Sequence, residues 1–331
     1  MGDYGIPELR EAVATRLNEY NKIPIDPSQV LVTTGSTEAI MLTFLGCIEQ
    51  GDEVIITDPS YVSYAPAIKF CGGKPVSIPL NENENYKLST ETLEKKVTKR
   101  TKFILINNPV NPTGTVFTKK NLEDIAEIAI KRNLLVISDE VYDVFLYDGA
   151  VHNSIASLPD MEERTITVNS FSKTYAMTGW RIGYMAGPKP LIDQLCKLHV
   201  YEVVCCNAAV QKAAVAAYTG PQNCVKKMID EYDARRKLVF NYLSKIPSIN
   251  VCKPKGAYYV FPNVSSYKIK SWDLSFRLID EAGVIVTPGA PFGKNGEWHI
   301  RISCTSARDN LIKSMDKIKE FLEMIEGSTC N

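Results

Sequence analysis

The 331-residue sequence predicts an α/β protein in two parts. One is a large domain whose mostly parallel sheet is covered by helices on both faces. The other is a smaller C-terminal α+β domain. Three observations lead there. Short β-rich runs alternate with helical patterns through most of the chain. Those runs are nearly all apolar, as strands covered on both faces are. Past about residue 240 the texture changes. The expected division is 1–240 and 241–331.

Taken in order, residues 30–32 form a strand that leads into a helix reaching about residue 48. Residues 54–57 are a strand stopped by Asp58-Pro59, and 102–106 a strand stopped by Asn107-Asn108-Pro109. Strands at 134–138 and 165–168 end in Asp139-Glu140 and Asn169-Ser170. Between 106 and 134 lies a helix that Thr118 can cap, with Leu122, Ile125, Ile128 and Ala129 on one face and Asn133 at its close. Residues 102–138 should therefore be a right-handed strand-helix-strand unit with parallel strands. A helix at 232–243 bridges to the second domain. There, strands at 256–261, 284–286 and 298–304 accompany helices at 272–282 and 307–325.

Composition narrows the function. Lys plus Arg equals Asp plus Glu, 38 each, which argues against a nucleic-acid binder with a broad basic surface. No apolar stretch approaches the roughly 20 residues of a membrane span. Met1-Gly2-Asp3-Tyr4-Gly5 is not the start of a secretory signal. The nine cysteines show no C-x-x-C spacing and read as free thiols in a reducing compartment. The three histidines, His152, His199 and His299, are too far apart to suggest a metal centre. The expectation is a soluble cytoplasmic protein without metal.

Polar residues cluster just after the carboxyl ends of the strands, where open α/β sheets bind ligands. A carboxylate buried at a strand end, Asp139, needs a partner such as a protonated pyridine nitrogen. With that partner the ring can accept electrons. Tyr142 could reach a ring hydroxyl; a plain helix cap is the alternative for Asp139. Lys173, after an apolar strand, sits where desolvation and nearby cations lower an amine's pKa and make it a nucleophile. Arg181, between Gly179 and Gly183, suits a phosphate dianion. A surface Lys and a surface Arg are the alternatives. The run Thr33-Thr34-Gly35-Ser36-Thr37 opens a helix and could bind an anion, though it is not a Walker loop. Ser36 or Thr37 could equally be a simple cap. Strand alternation puts Trp298, Ile300, Ile302 and Cys304 on one face and His299, Arg301 and Ser303 on the other. Arg301 thus points away from the apolar layer, towards a polar space; a solvent-exposed arginine would give the same pattern.

Asn111-Pro112-Thr113-Gly114, Asp139-Glu140-Val141-Tyr142, Ser170-Phe171-Ser172-Lys173 and Gly179-Trp180-Arg181-Ile182-Gly183 occur in this order with compatible spacing. Together they resemble the class I/II aminotransferases, of aspartate-aminotransferase type and fold type I among pyridoxal-phosphate enzymes. The resemblance runs from Gly5-Ile6-Pro7-Glu8-Leu9-Arg10 to Trp298-His299-Ile300-Arg301-Ile302-Ser303. It implies that Lys173 holds pyridoxal 5'-phosphate as a Schiff base and moves the substrate proton. Asp139 would pair with the ring nitrogen, and Asn111 and Tyr142 with the ring hydroxyl. Ser170, Arg181, Ser36 and Thr37 would hold the phosphate. Tyr61 would stack on the ring, with Tyr64 as its rival. Arg301, helped by Asn111, would grip the substrate carboxylate.

The same resemblance implies ping-pong transfer of an amino group from an L-amino acid to a 2-oxo acid, in a homodimer. Two other readings share part of this ground: β-elimination of a sulfur amino acid on the same scaffold, and a non-catalytic regulatory homologue. The chain also departs from the pattern. A tyrosine that normally stands a few residues before the Gly-x-x-x-Leu-Arg run has no match, since Tyr4 directly precedes Gly5. The expectation is a fragment or a shortened relative. No arginine for dicarboxylic side chains is found between His199 and Gln211, which weakens a preference for aspartate and glutamate.

Overall fold

A computed structural model describes residues 2–329, with side chains through Glu326. The chain begins with α1 (Pro7–Arg16), β1 (Val30–Thr33), α2 (Ser36–Cys47), β2 (Glu53–Asp58), α3 (Tyr64–Phe70) and β3 (Lys74–Pro79). It continues through α4 (Thr90–Lys96), β4 (Thr101–Asn107), α5 (Lys119–Lys131), β5 (Leu135–Asp139), β6 (Thr165–Ser170), the single-turn α6 (Phe171–Thr174) and β7 (Gly183–Ala186). Three helices follow: α7 (Lys189–Val203), α8 (Ala208–Thr219) and α9 (Asn223–Leu243). The last part holds β8 (Tyr259–Val260), α10 (Ser271–Ala282), β9 (Thr287–Pro288), β10 (Ile300–Ser303) and α11 (Arg308–Thr329).

Seven strands form one sheet in the order β1-β7-β6-β5-β4-β2-β3. Neighbours from β3 to β6 pair in parallel, and β7 runs antiparallel to both β6 and β1. The apolar strands are covered on both faces, as their composition predicts. Along β4, Phe103 and Leu105 pack on one face with α2, α3 and α7 residues such as Phe44, Ile68 and Leu195. Ile104 and Ile106 pack on the other with Leu122, Ile125 and Ile128 of α5. Each such side chain, fully buried, contributes about 1.5–3 kcal/mol. Helix α5 forms as expected: Thr118 and Asn121 make a reciprocal capping box, and Asn133 takes a left-handed conformation just past its end.

The second part differs in detail from expectation. The strand expected at 256–261 is reduced to Tyr259–Val260. The one expected at 284–286 is not a strand; β9 follows it at Thr287–Pro288. Val284 and Val286 are buried while Ile285 is 83% exposed, so the period-two burial that suggested a strand exists without ladder bonds. The small sheet has the order β8-β10-β9. Its core, with Leu274, Leu278, Ile300, Ile302, Met315 and Ile318, continues to Val141, Tyr142 and Phe145 beyond β5. The small part thus packs directly against the carboxyl edge of the large sheet.

Candidate active site

A cavity of about 470 Å³ opens at that edge. All ten side chains singled out from the sequence line it: Ser36, Thr37, Tyr61, Asn111, Asp139, Tyr142, Ser170, Lys173, Arg181 and Arg301. They come from both ends of the chain, brought together by the sheet edge and by β10.

One end is built for an anion. Helix α2 starts at Ser36, with Gly35 as its N-cap at φ 94° and no side-chain cap bond. Neither Ser36 nor Thr37 is therefore the cap, which corrects the simpler reading of this run. The first amides of a helix have no intrahelical partner and carry the positive end of its dipole. Arg181 is exposed, yet it is not splayed into solvent. Nη1 donates to the Thr178 carbonyl at 2.9 Å and Nη2 to the Thr34 carbonyl at 3.2 Å. A Cβ on Gly35 would lie 2.5 Å from Arg181 Nη2, and one on Gly183 would lie 2.8 Å from the Asn169 carbonyl oxygen. The glycines let backbone and guanidinium close on one point. Ser170 ends β6 and caps α6, its hydroxyl accepting the Ser172 amide at 3.3 Å.

The other end carries a carboxylate. Asp139 closes β5, and turns rather than a helix follow, so it is not a helix cap. Oδ1 accepts the Val141 amide at 3.3 Å and Oδ2 accepts the Tyr64 hydroxyl at 2.5 Å. Burial pushes the carboxyl up to about 6, against the lowering effect of Tyr64, Val141 and the Lys173 charge. Tyr64 is fully buried and lies edge-on to Tyr61, with centroids 5.4 Å apart. Its hydroxyl is committed to Asp139.

Lys173 sits between the two ends, half-buried on α6, with Nζ 5.8 Å from the centroid of the Tyr142 ring. Desolvation lowers its pKa; Asp139 opposes this, and Arg301 and Arg181 add to it. The Tyr142 hydroxyl bonds that of Tyr259 at 2.9 Å.

Arg301 lies on β10, whose burial alternates as expected from Ile300 to Ser303. Further upstream the alternation fails: Trp298 is 40% exposed and His299 is buried, because the strand begins only at Ile300. Arg301 Nη1 donates to Asn111 Oδ1 at 3.0 Å and Nη2 to Thr287 Oγ1 at 3.3 Å. Its guanidinium lies 4.3 Å from the Tyr259 ring centroid and 5.0 Å from that of Phe292. Nε is buried without a partner. Such a donor, with aromatic walls around it, fits a carboxylate better than water.

Sequence reading missed two residues here, Asn107 and Tyr259, and did not foresee the bond from Tyr64 to Asp139. Asn107 donates to the Asp139 carbonyl at 3.0 Å and accepts the Asn111 amide at 2.7 Å. Tyr64 holds Asp139, and Tyr259 floors Arg301. Only Asn107 carried a signal, its place at a strand end beside the ligand edge. Among the described residues no cluster of metal-ligating side chains occurs, and no helix is long and apolar enough to cross a membrane.

Sheet order, strand-end lysine and paired anion and cation ends define the fold type I aminotransferase class. The family model "Aminotransferase class I and II" matches residues 1–318. The chain belongs to that family and is an aminotransferase. It is 44% identical to an aspartate aminotransferase of Pyrococcus abyssi over 96% of this chain and 82% of that protein. It is 42% identical to aromatic-amino-acid aminotransferase 2 of Thermococcus litoralis, again over 96% and 82%. Among solved structures, the aromatic aminotransferase of Pyrococcus horikoshii superposes with a TM-score of 0.96 at 42% identity, covering 98% of this chain and 88% of that one. These relatives favour transamination over elimination and set aside a purely regulatory role.

Proposed function

We propose that the cavity holds pyridoxal 5'-phosphate and that the residues named above move an amino group from an L-amino acid to a 2-oxo acid. The observation that carries this is the order of charges across the cavity: Arg181 with the start of α2, then the Lys173 amine, then the buried Asp139 carboxylate. A phosphorylated pyridine aldehyde has the complementary order of groups. When bound, it supplies an aldehyde for an amine and a ring that accepts electrons from the substrate carbon.

The chain's own residues then have defined tasks. Arg181, Ser170, Ser36 and Thr37 bind the phosphate. Asp139, held by Tyr64, keeps a proton on the ring nitrogen. Asn111 and Tyr142 face the ring hydroxyl, and Tyr61 covers the ring. Arg301 binds the α-carboxylate bidentately and fixes which bond at the α-carbon faces Lys173, a positioning effect worth orders of magnitude in rate. The Lys173 amine, neutral at lower pH than an exposed lysine, takes the α-proton and returns it.

This reading keeps two lobes, 1–240 and 241–331, with α9 bridging them, and a cytoplasmic homodimer. Besides Lys173, Arg181 and Arg301, no cation among the described residues lines the cavity. The test is to incubate the enzyme with single L-amino acids and 2-oxoglutarate. Formation of glutamate and the matching 2-oxo acid is expected. Release of ammonia and pyruvate without glutamate would overturn the reading in favour of elimination.

A further inference from the structure

Thr34 and Gly35 open α2 and receive Arg181, and they are held from behind by a side chain with no place in the reaction. Glu38 lies in the first turn of α2 and is buried. Its Oε2 accepts both the amide and the hydroxyl of Thr34, the latter at 2.5 Å. Its Oε1 meets Nδ1 of His199 at 2.5 Å. His199 comes from α7 and is fully buried, with Nε2 left without a partner. Burial raises the Glu38 carboxyl, but the bonds from His199 and Thr34 outweigh it and hold the group below the usual range. It is therefore ionised at neutral pH.

A carboxylate in the first turn of a helix competes with any other anion bound there. Here that conflict is resolved by direction. The Glu38 charge is taken up by the Thr34 amide and hydroxyl and by His199. The two peptide groups that flank Thr34 are thus both held, the N–H of one by Glu38 and the carbonyl of the other by Arg181. A local cap would need only Thr34 and Glu38. A histidine from another helix indicates that the orientation of this turn is fixed against the body of the fold.

We propose that Glu38 and His199 are positioning residues for phosphate binding. They set the Thr34–Gly35 turn so that the first amides of α2 and the Arg181 fork converge on one site. This rests on the reading of that end of the cavity as the phosphate end.

The test compares two ligands, pyridoxal phosphate and pyridoxal, which lacks the phosphate. Dissociation constants are measured by absorbance titration for the wild type, Glu38→Ala, Glu38→Gln, His199→Ala and Arg181→Ala. Loss of the charged acceptor should weaken pyridoxal phosphate about tenfold in Glu38→Ala. Pyridoxal binding should change by less than about twofold. Glu38→Gln keeps an acceptor for Thr34 and should recover most of the loss. If Glu38→Ala does not fold, His199→Ala carries the same comparison, with the same selective loss expected. Equal weakening of both ligands, or no weakening of either, overturns the proposal. Arg181→Ala separates the two levels. If it does not lower the preference for the phosphorylated ligand, the phosphate-end reading itself fails.

Discussion

Asp139 is the residue where fold and chemistry conflict most openly. Its folded pKa, pushed up to about 6, stands above the ordinary 3.8, so the ionised form is disfavoured in the fold. The cost is absent below about pH 4, grows as pH rises, and is complete above about pH 6. A shift of this size corresponds to roughly 3 kcal/mol. In the proposed function, a cationic ring bound against the carboxylate would offset that cost. Asp139→Asn should make the cofactor-free protein more stable at pH 7.5 by up to roughly 3 kcal/mol but leave it nearly unchanged at pH 4. Urea melts at the two pH values check this, and turnover should fall steeply.

Arg301 supports a separate prediction. Its fork reaches Asn111 and Thr287 together and rests on two aromatic rings. Arg301→Lys should raise KM for amino and oxo acids alike by about 10–100-fold and leave cofactor affinity unchanged. Steady-state kinetics with a parallel cofactor titration decide it.

At the scale of elements, legibility followed how local the determinant was. Helix α5 could be read because its cap, apolar stripe and end signal all lie within the 118–133 segment. The inner parallel strands β2, β4, β5 and β6 could be read because burial on both faces leaves them largely apolar, whereas the edge strand β3, mostly exposed, could not. The start of α2 was ambiguous, since a serine or threonine in that run could be either cap or ligand donor. The structure decides it through a local contact that the run does not announce: Glu38 takes Thr34, and Gly35 becomes the cap. The short strands β8 and β9 could not be placed, because two-residue pairings depend on β10, about 40 and 12 residues away. Gly35→Ala tests the α2 start. At φ 94° a methyl is strained by about 1–3 kcal/mol and crowds Arg181, so cofactor affinity should fall about tenfold. A fluorimetric titration measures it.

At the scale of the molecule, the cavity exists only where the two parts meet. Asp139 ends β5 of the large sheet and Lys173 lies on α6 just after β6, while Arg301 and Tyr259 come from the small sheet. Which residues would line the site was legible from motif order. How they contact one another was not, because the bonds from Tyr64 to Asp139 and from Arg301 to Asn111 span 75 and 190 positions. Arg236 shows how the parts are joined. Fully buried on α9, it bonds the Pro254 carbonyl at 2.6 Å and pairs with Asp148 at 3.0 Å and with Asp233. It thus ties the segment after β5 to the approach to β8. Arg236→Ala should lower unfolding free energy by about 2–4 kcal/mol, since it leaves the buried Pro254 carbonyl without its donor and takes one of two cationic partners from each of Asp148 and Asp233, which keep Lys253 and Lys237. Chemical denaturation tests this.

The central claim is that this whole arrangement converges on one lysine. The direct measurement is borohydride reduction of the protein incubated with pyridoxal phosphate, followed by digestion and mass mapping of the fixed label. Label is expected on Lys173 alone, with none on the Lys173→Ala variant. Label on another lysine, or a reducible linkage that survives Lys173→Ala, would contradict it.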